Sequence, residues 1–137
     1  MIGILIIAHG SLGQSLVECA SHMLGARPER LAELRVDSQE DPAHAVLRGR
    51  RLVRELDDGD GVLVLTDVYG ATPSNIAAQI LEPGHVAGLS GVSLPMLVRA
   101  LTYRNQTLDA VAAKAASGGV EGVYRMPPAP AHAAARS

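Results

Sequence analysis

Two stretches of this chain, Met1–Ala8 and Gly61–Thr66, are almost purely apolar. A surface helix interrupts its apolar residues with polar ones every turn, and a half-exposed strand does so at every second position. An unbroken short run fits a strand whose two faces are both covered, as in a parallel sheet packed between helices. Neither run is long enough to span a bilayer. No basic stretch precedes Met1–Ala8, so it is not expected to act as a signal peptide.

Helical patterns follow each strand. Ser11 with Gln14 has the spacing of a capping box. Leu12, Leu16, Ala20, Met23 and Leu24 then recur at helical spacing, and Gly25 is a stop signal. Leu31–Val36 alternates apolar and charged residues and is expected as a strand nearer an edge. Asp41-Pro42 opens a second helix with inner residues Val46, Leu47, Val53 and Leu56, ended by Asp57–Asp60. Thr72 is expected to cap a third helix, with Pro73 as its first residue and Ile76, Ala77, Ile80 and Leu81 buried; Pro83-Gly84 stops it. Val86–Val92 reads as a weaker strand, Ser93-Leu94-Pro95 as the start of a helix through Leu101, and Thr107 as the cap of a last helix. Gly118-Gly119 is expected to end that helix, leaving Val120–Tyr124 for a short final strand. The pattern implies a single doubly wound α/β domain over residues 1–125, a mostly parallel sheet with helices on both faces. The Pro- and Ala-rich segment 126–137 is expected to be disordered.

Composition narrows the function. The formal charge is −2, with one Lys beside eleven Arg, which argues against a nucleic-acid surface. There is no Phe and no Trp, so the core must be aliphatic. The single cysteine, Cys19, permits no internal disulfide, fits a reducing compartment and is expected as a small buried hydrophobe. A cytoplasmic location follows from these features.

The chemistry gathers on one rim. His9-Gly10-Ser11, Asp67–Ser74 and Ser93-Leu94-Pro95 each follow a predicted strand, and parallel strands deliver such loops to the same end of a sheet, where ligands bind. His9 and Asp67 can therefore meet. A carboxylate bonded to one imidazole nitrogen fixes the tautomer and leaves the other nitrogen as a nucleophile. Gly10 and Gly70 let backbone approach an anion closely, and Thr72 opens a helix whose free amides attract one. Attack needs an unprotonated nitrogen, so phosphate acceptance is expected to fall below neutral pH.

At these residues the chain resembles the enzyme IIA component of the mannose-type sugar phosphotransferase system. Ile-Ala-His-Gly at residues 7–10, Asp67-Val-Tyr-Gly-Ala-Thr-Pro-Ser-Asn75 and Gly91-Val-Ser-Leu-Pro-Met-Leu-Val98 occur in that family's order and spacing, and the similarity extends over about residues 1 to 125. The resemblance implies phosphoryl relay: His9 takes a phosphoryl group from the carrier HPr and passes it to a IIB component, with Asp67 orienting the ring. It implies a phosphoryl pocket of Gly10, Gly70, Ala71, Thr72 and Ser93, and no metal or nucleotide cofactor. It also implies a homodimer, with Val120–Tyr124 the segment that matches an exchanged strand, and contact with the membrane only through a transporter complex. The family commonly has a second glycine where this chain has Ala71, a change tolerated if φ there is negative. No IIB segment follows within these residues, so the IIB partner is expected to be separate.

Other readings are simpler. His22 and His44 are expected to face solvent, and His85 and His132 have no assigned role. Arg48, Arg50, Arg51 and Arg54 form a basic cluster whose default is a solvated face. A tetrapyrrole metal chelatase also places His-Gly-Ser after its first strand, but needs a second metal ligand, and His85 lies at the wrong end of its strand. The phosphotransferase subunit of dihydroxyacetone kinase typically lacks the Thr72-Pro73 pair. A regulatory module would use identical chemistry at His9. The sugar is not legible, because IIA does not touch it.

Overall fold

The computed structural model describes residues 1–130. Its elements run β1 (Gly3–His9), α1 (Leu12–Leu24), β2 (Leu31–Val36), α2 (Pro42–Leu56), β3 (Val62–Thr66), α3 (Thr72–Ala78), β4 (Val86–Leu89), α4 (Leu94–Tyr103) and α5 (Leu108–Glu121). The four strands form one parallel sheet in the order β2-β1-β3-β4. The chain steps outward from β1 to β2 and then returns across β1 to begin β3. That reversal makes the crevice between β1 and β3 the switch point of a doubly wound sheet.

Alternate residues of the apolar runs feed two separate cores. Ile4, Ile6, Ala8, Leu63 and Leu65 pack with Val17, Ala20, Leu97, Val111 and Ala115 of α1, α4 and α5. Leu5, Ile7, Val62 and Val64 pack with Val46, Val53, Ile76 and Ile80 on the side of α2 and α3. Ile4 to Ile7 and Val62 to Leu65 have no exposed surface. Each such side chain contributes about 1.5–3 kcal/mol by leaving water. β2 lies at an edge, as its alternation implies, and Asp41 caps α2 by accepting from the Ala43 amide at 3.0 Å.

Several local expectations fail for identifiable reasons. In α1 the buried stripe is Gly13, Val17 and Ala20, whereas Leu12, Met23 and Leu24 are exposed. The helix lies so near β2 that a Cβ on Gly13 would fall 2.9 Å from Glu33 Cβ, so its small side faces inward. The capping box does not form: Ser11 has φ −90° and ψ 9°, not an extended cap, and Gln14 bonds to Glu18 instead. Leu47 and Leu81 also face solvent, and Cys19 is exposed. The cap of α3 is Ala71, with Thr72 first in the helix and Pro73 second. The negative φ of −82° at Ala71 accommodates its methyl group.

The largest correction is at the C-terminal end. Gly118-Gly119 does not end α5, which continues to Glu121, and Val120–Tyr124 forms no strand. A Cβ on Gly118 would lie 2.9 Å from Arg99 Cβ, so the glycine serves the close contact of α5 with α4. Arg99 then pairs with Glu121 at 2.8 Å and holds the last turn. Residues 123–130 are exposed and without regular structure; His132 and the rest of the expected tail lie outside the described residues.

Candidate functional site

His9 is the last residue of β1 and Asp67 the first after β3. Ile7 is level with Thr66 in the paired strands, so the register brings the two side chains together across the switch point. His9 Nδ1 lies 2.7 Å from Asp67 Oδ2, and the backbone amide of His9 donates to the same oxygen at 2.9 Å. Asp67 Oδ1 accepts from the Val68 amide, also at 2.9 Å.

The carboxylate is thus fixed by three bonds in a nearly enclosed position. Its side chain is 9% exposed, whereas that of His9 is 55% exposed. Burial opposes ionisation of Asp67 and is the largest single influence on it. The hydrogen bonds from His9 and Val68, with attraction to the imidazole, outweigh it and hold the carboxyl below the usual carboxylate range. A ring nitrogen facing an ionised carboxylate carries the proton, so Nε2 keeps its lone pair and points away from Asp67.

The remaining expected residues divide. Thr72 borders a hollow of about 260 Å³ together with His9, Val36, Asp37, Ser38, Glu40 and Pro42. Gly10 follows β1 directly, and its amide donates across to Val36 O at the end of β2 at 3.2 Å. The amides of Gly70 and Ala71 donate within their own turn, to Ser74 Oγ and Val68 O, both at 3.3 Å. Ser93 stands outside the hollow and caps α4, accepting from the Met96 amide at 3.3 Å. Its loop is tied to the site by backbone bonds from Gly91 to Asp67 O and from Val92 to Thr66 O.

Sequence reasoning missed the loop between β2 and α2, which supplies Asp37, Ser38 and Glu40 to the hollow's wall. The signal was present, since parallel strands put the loop after β2 on the same rim as those after β1 and β3. His85 precedes β4 at the opposite end of the sheet from His9. Among the described residues no group of His, Cys, Asp and Glu is arranged to hold a metal ion.

The chain has relatives among known proteins. The family described as "PTS system fructose IIA component" matches residues 3–116. The chain is 31% identical over 137 residues to the "PTS system mannose-specific EIIAB component" of Escherichia coli strain K12, covering 98% of this chain and 42% of that relative. It therefore spans less than half the length of the curated relatives it matches. Among solved structures, the phosphotransferase system component EIIA from Streptococcus agalactiae superposes with a TM-score of 0.81 at 25% identity, over 91% of this chain and 97% of that one. The PTS IIA protein associated with the fucose utilization operon of Streptococcus pneumoniae shares the fold, with a TM-score of 0.75 at 24% identity over 90% and 91% of the two chains. With its sheet order, its switch-point histidine and a family match over most of its length, the chain belongs to the mannose- and fructose-type IIA family of the sugar phosphotransferase system.

Proposed function

We propose that this chain is a histidine phosphoryl carrier of the phosphotransferase system. His9 accepts a phosphoryl group from phospho-HPr on Nε2 and passes it to a IIB component, in the cytoplasm, in support of sugar uptake. The observation that carries this reading is the pair of His9 and Asp67: one ring nitrogen is held at 2.7 Å by an ionised carboxylate while more than half of the side chain is open to a partner. Asp67 orients the ring and stabilises the charge it gains on attack. Thr72 is the phosphoryl-binding side chain on the hollow's wall, and Gly10, Gly70 and Ala71 shape the turns around it. Membership of the IIA family supports the reaction class, and no helix among the described residues is long and apolar enough to cross a membrane. Incubation with phosphoenolpyruvate, enzyme I and HPr should add one acid-labile phosphate to the parent chain and none to His9→Ala. An unmodified parent, with active partners, would refute the assignment.

The same reading includes a homodimer. β4 is the last strand on its side of the sheet, and Val120 and Val123 are exposed beside it. Val120 and Val123 border a hollow with Leu89, Gly91 and Met96. A second copy covering this edge would bury that apolar surface. Light scattering should give twice the chain mass, and Val123→Asp should return it to one.

A further inference from the structure

The hollow beside His9 carries a charge conflict. Asp37 and Glu40 both border it, yet a phosphoryl group on His9 would bring in nearly two more negative charges. Each carboxylate has its own guanidinium. Arg35 Nε meets Asp37 Oδ1 at 2.9 Å, and Arg48 Nη1 meets Glu40 Oε2 at 2.7 Å. The two pairs differ in rigidity. Asp37 and Arg35 are both more than half exposed, whereas Glu40 is 18% exposed. Arg48 is anchored a second time, its Nη2 donating to Arg35 O at 3.2 Å. Arg48 therefore ties the end of β2 to the loop that walls the hollow. A surface arginine needs no such double attachment to stay solvated. Among the described residues, Arg50 on the same helix makes a single such bond, to Gln79 O at 3.1 Å, and Arg51 and Arg54 make none.

We propose that the Arg48–Glu40 pair sets how strongly His9 holds the phosphoryl group, with Glu40 weakening phospho-His9 and Arg48 offsetting it. This inference rests on the carrier reading above. In the transfer, the donor's bond to phosphorus breaks with its electron pair left on the donor. The new bond forms from the Nε2 lone pair, and the Nδ1 proton stays against Asp67. Glu40 and Arg48 touch none of these atoms; they act through the field in the hollow and by positioning its wall. A carrier that must give its phosphoryl group away cannot bind it too tightly. A neutralised carboxylate at the rim keeps the exchange with donor and acceptor near balance.

The test is the equilibrium constant for exchange between phospho-HPr and this chain, with the phosphorylated fraction of each read by mass spectrometry. Equilibrium is the informative quantity because changes in docking alter both rates and cancel. One unit charge acting on a dianion at about 7 Å in a water-like medium shifts an equilibrium roughly threefold to tenfold. Glu40→Gln should shift it by that factor toward phospho-His9, Arg48→Gln by a similar factor away, and the double variant should return close to the parent. The Glu40→Gln effect should shrink as salt rises from about 0.02 M to 0.5 M. A merely structural role would move both single variants the same way. Shifts of one sign, or shifts in neither variant, would overturn the inference while leaving the carrier assignment standing. If Arg48→Gln does not fold, the sign and salt dependence of Glu40→Gln decide. A parent chain that takes no phosphate at all is a different result, and overturns the carrier reading itself.

Discussion

The two ends of the sheet each hold one conspicuous basic side chain, and they treat it in opposite ways. At the amino end Arg104 is 5% exposed. Its Nε and Nη2 donate to Ile2 O at 3.0 and 2.8 Å, Nη1 donates to Glu29 O, and Nη2 also reaches Arg30 O at 2.8 Å. Burial draws its pKa down, partly offset by Glu29. At the carboxyl end His9 has one ring nitrogen engaged and the other open. A buried side chain whose three nitrogens all donate to backbone carbonyls fastens the strand ends. One left half-satisfied at the surface is available for chemistry. His9 ends β1 and Arg104, the C-cap of α4, sits against Ile2 just before β1, so nearness to the central strand does not separate them; the number of partners does.

Substitutions at the two ends should therefore produce opposite phenotypes. The largest effect is expected for His9→Ala, which should reduce phosphate acceptance to background while the thermal midpoint moves little, since the ring is exposed. Asp67→Asn should follow. The fixed tautomer is lost, and the acceptance rate should fall about 10²–10³-fold. Transfer at the parental rate in stopped-flow mixing with phospho-HPr would break the contrast, because Asp67 would then be only a turn residue. Arg104→Met reverses the pattern. It removes the side-chain donor from the carbonyls of Ile2 and Glu29, leaves Arg30 O with only the Ile4 amide, and should cost about 2–4 kcal/mol in urea unfolding. Phosphate accepted per folded molecule should not change. A variant that kept its stability and lost acceptance would show that the amino end communicates with the site.

How far the sequence carried the reading differs along the same axis. The carboxyl end was legible because its signals are short-range: an apolar run ending at His9, another ending at Thr66 before Asp67, and the rule that parallel strands share a rim. Strand pairing then had little freedom in where it put the two side chains. The loop of Asp37 and Glu40 was overlooked because nothing in it departs from ordinary loop composition; only its place beside β1 gives it meaning. Arg104 could not be recognised as buried, since its partners are backbone carbonyls distant in the chain. α1 and α5 were misread for one common reason. Gly13 and Gly118 are small so that a helix can come close, whereas periodicity counts large apolar residues and treats glycine as punctuation. In α5 that error converted the last turn into a strand that does not exist in the described chain.

The smallest effect sharpens the comparison most cleanly, because it concerns stability at both ends. Asp67 is held below the ordinary carboxylate range by its bonds to His9 and Val68. A carboxylate with a depressed native pKa stabilises the fold at pH values above its unfolded pKa of about 3.9, and that contribution disappears as pH falls through the lower native value. The stability gap between the parent and Asp67→Asn, about 1–2 kcal/mol from hydrogen bonds to a charged acceptor, should thus be constant from neutral pH down to about 5 and close only in more acid solution. The gap between the parent and Arg104→Met should stay open across that whole interval, since a guanidinium does not titrate there. Thermal midpoints of the three proteins, measured across the series, would separate the two ends. If the Asp67→Asn gap instead widened as pH fell from about 7 to 5, the stabilisation would be tracking the charge an imidazole gains on protonation. The carboxylate would then owe its role in the fold to ring charge rather than to the fixed amides of His9 and Val68.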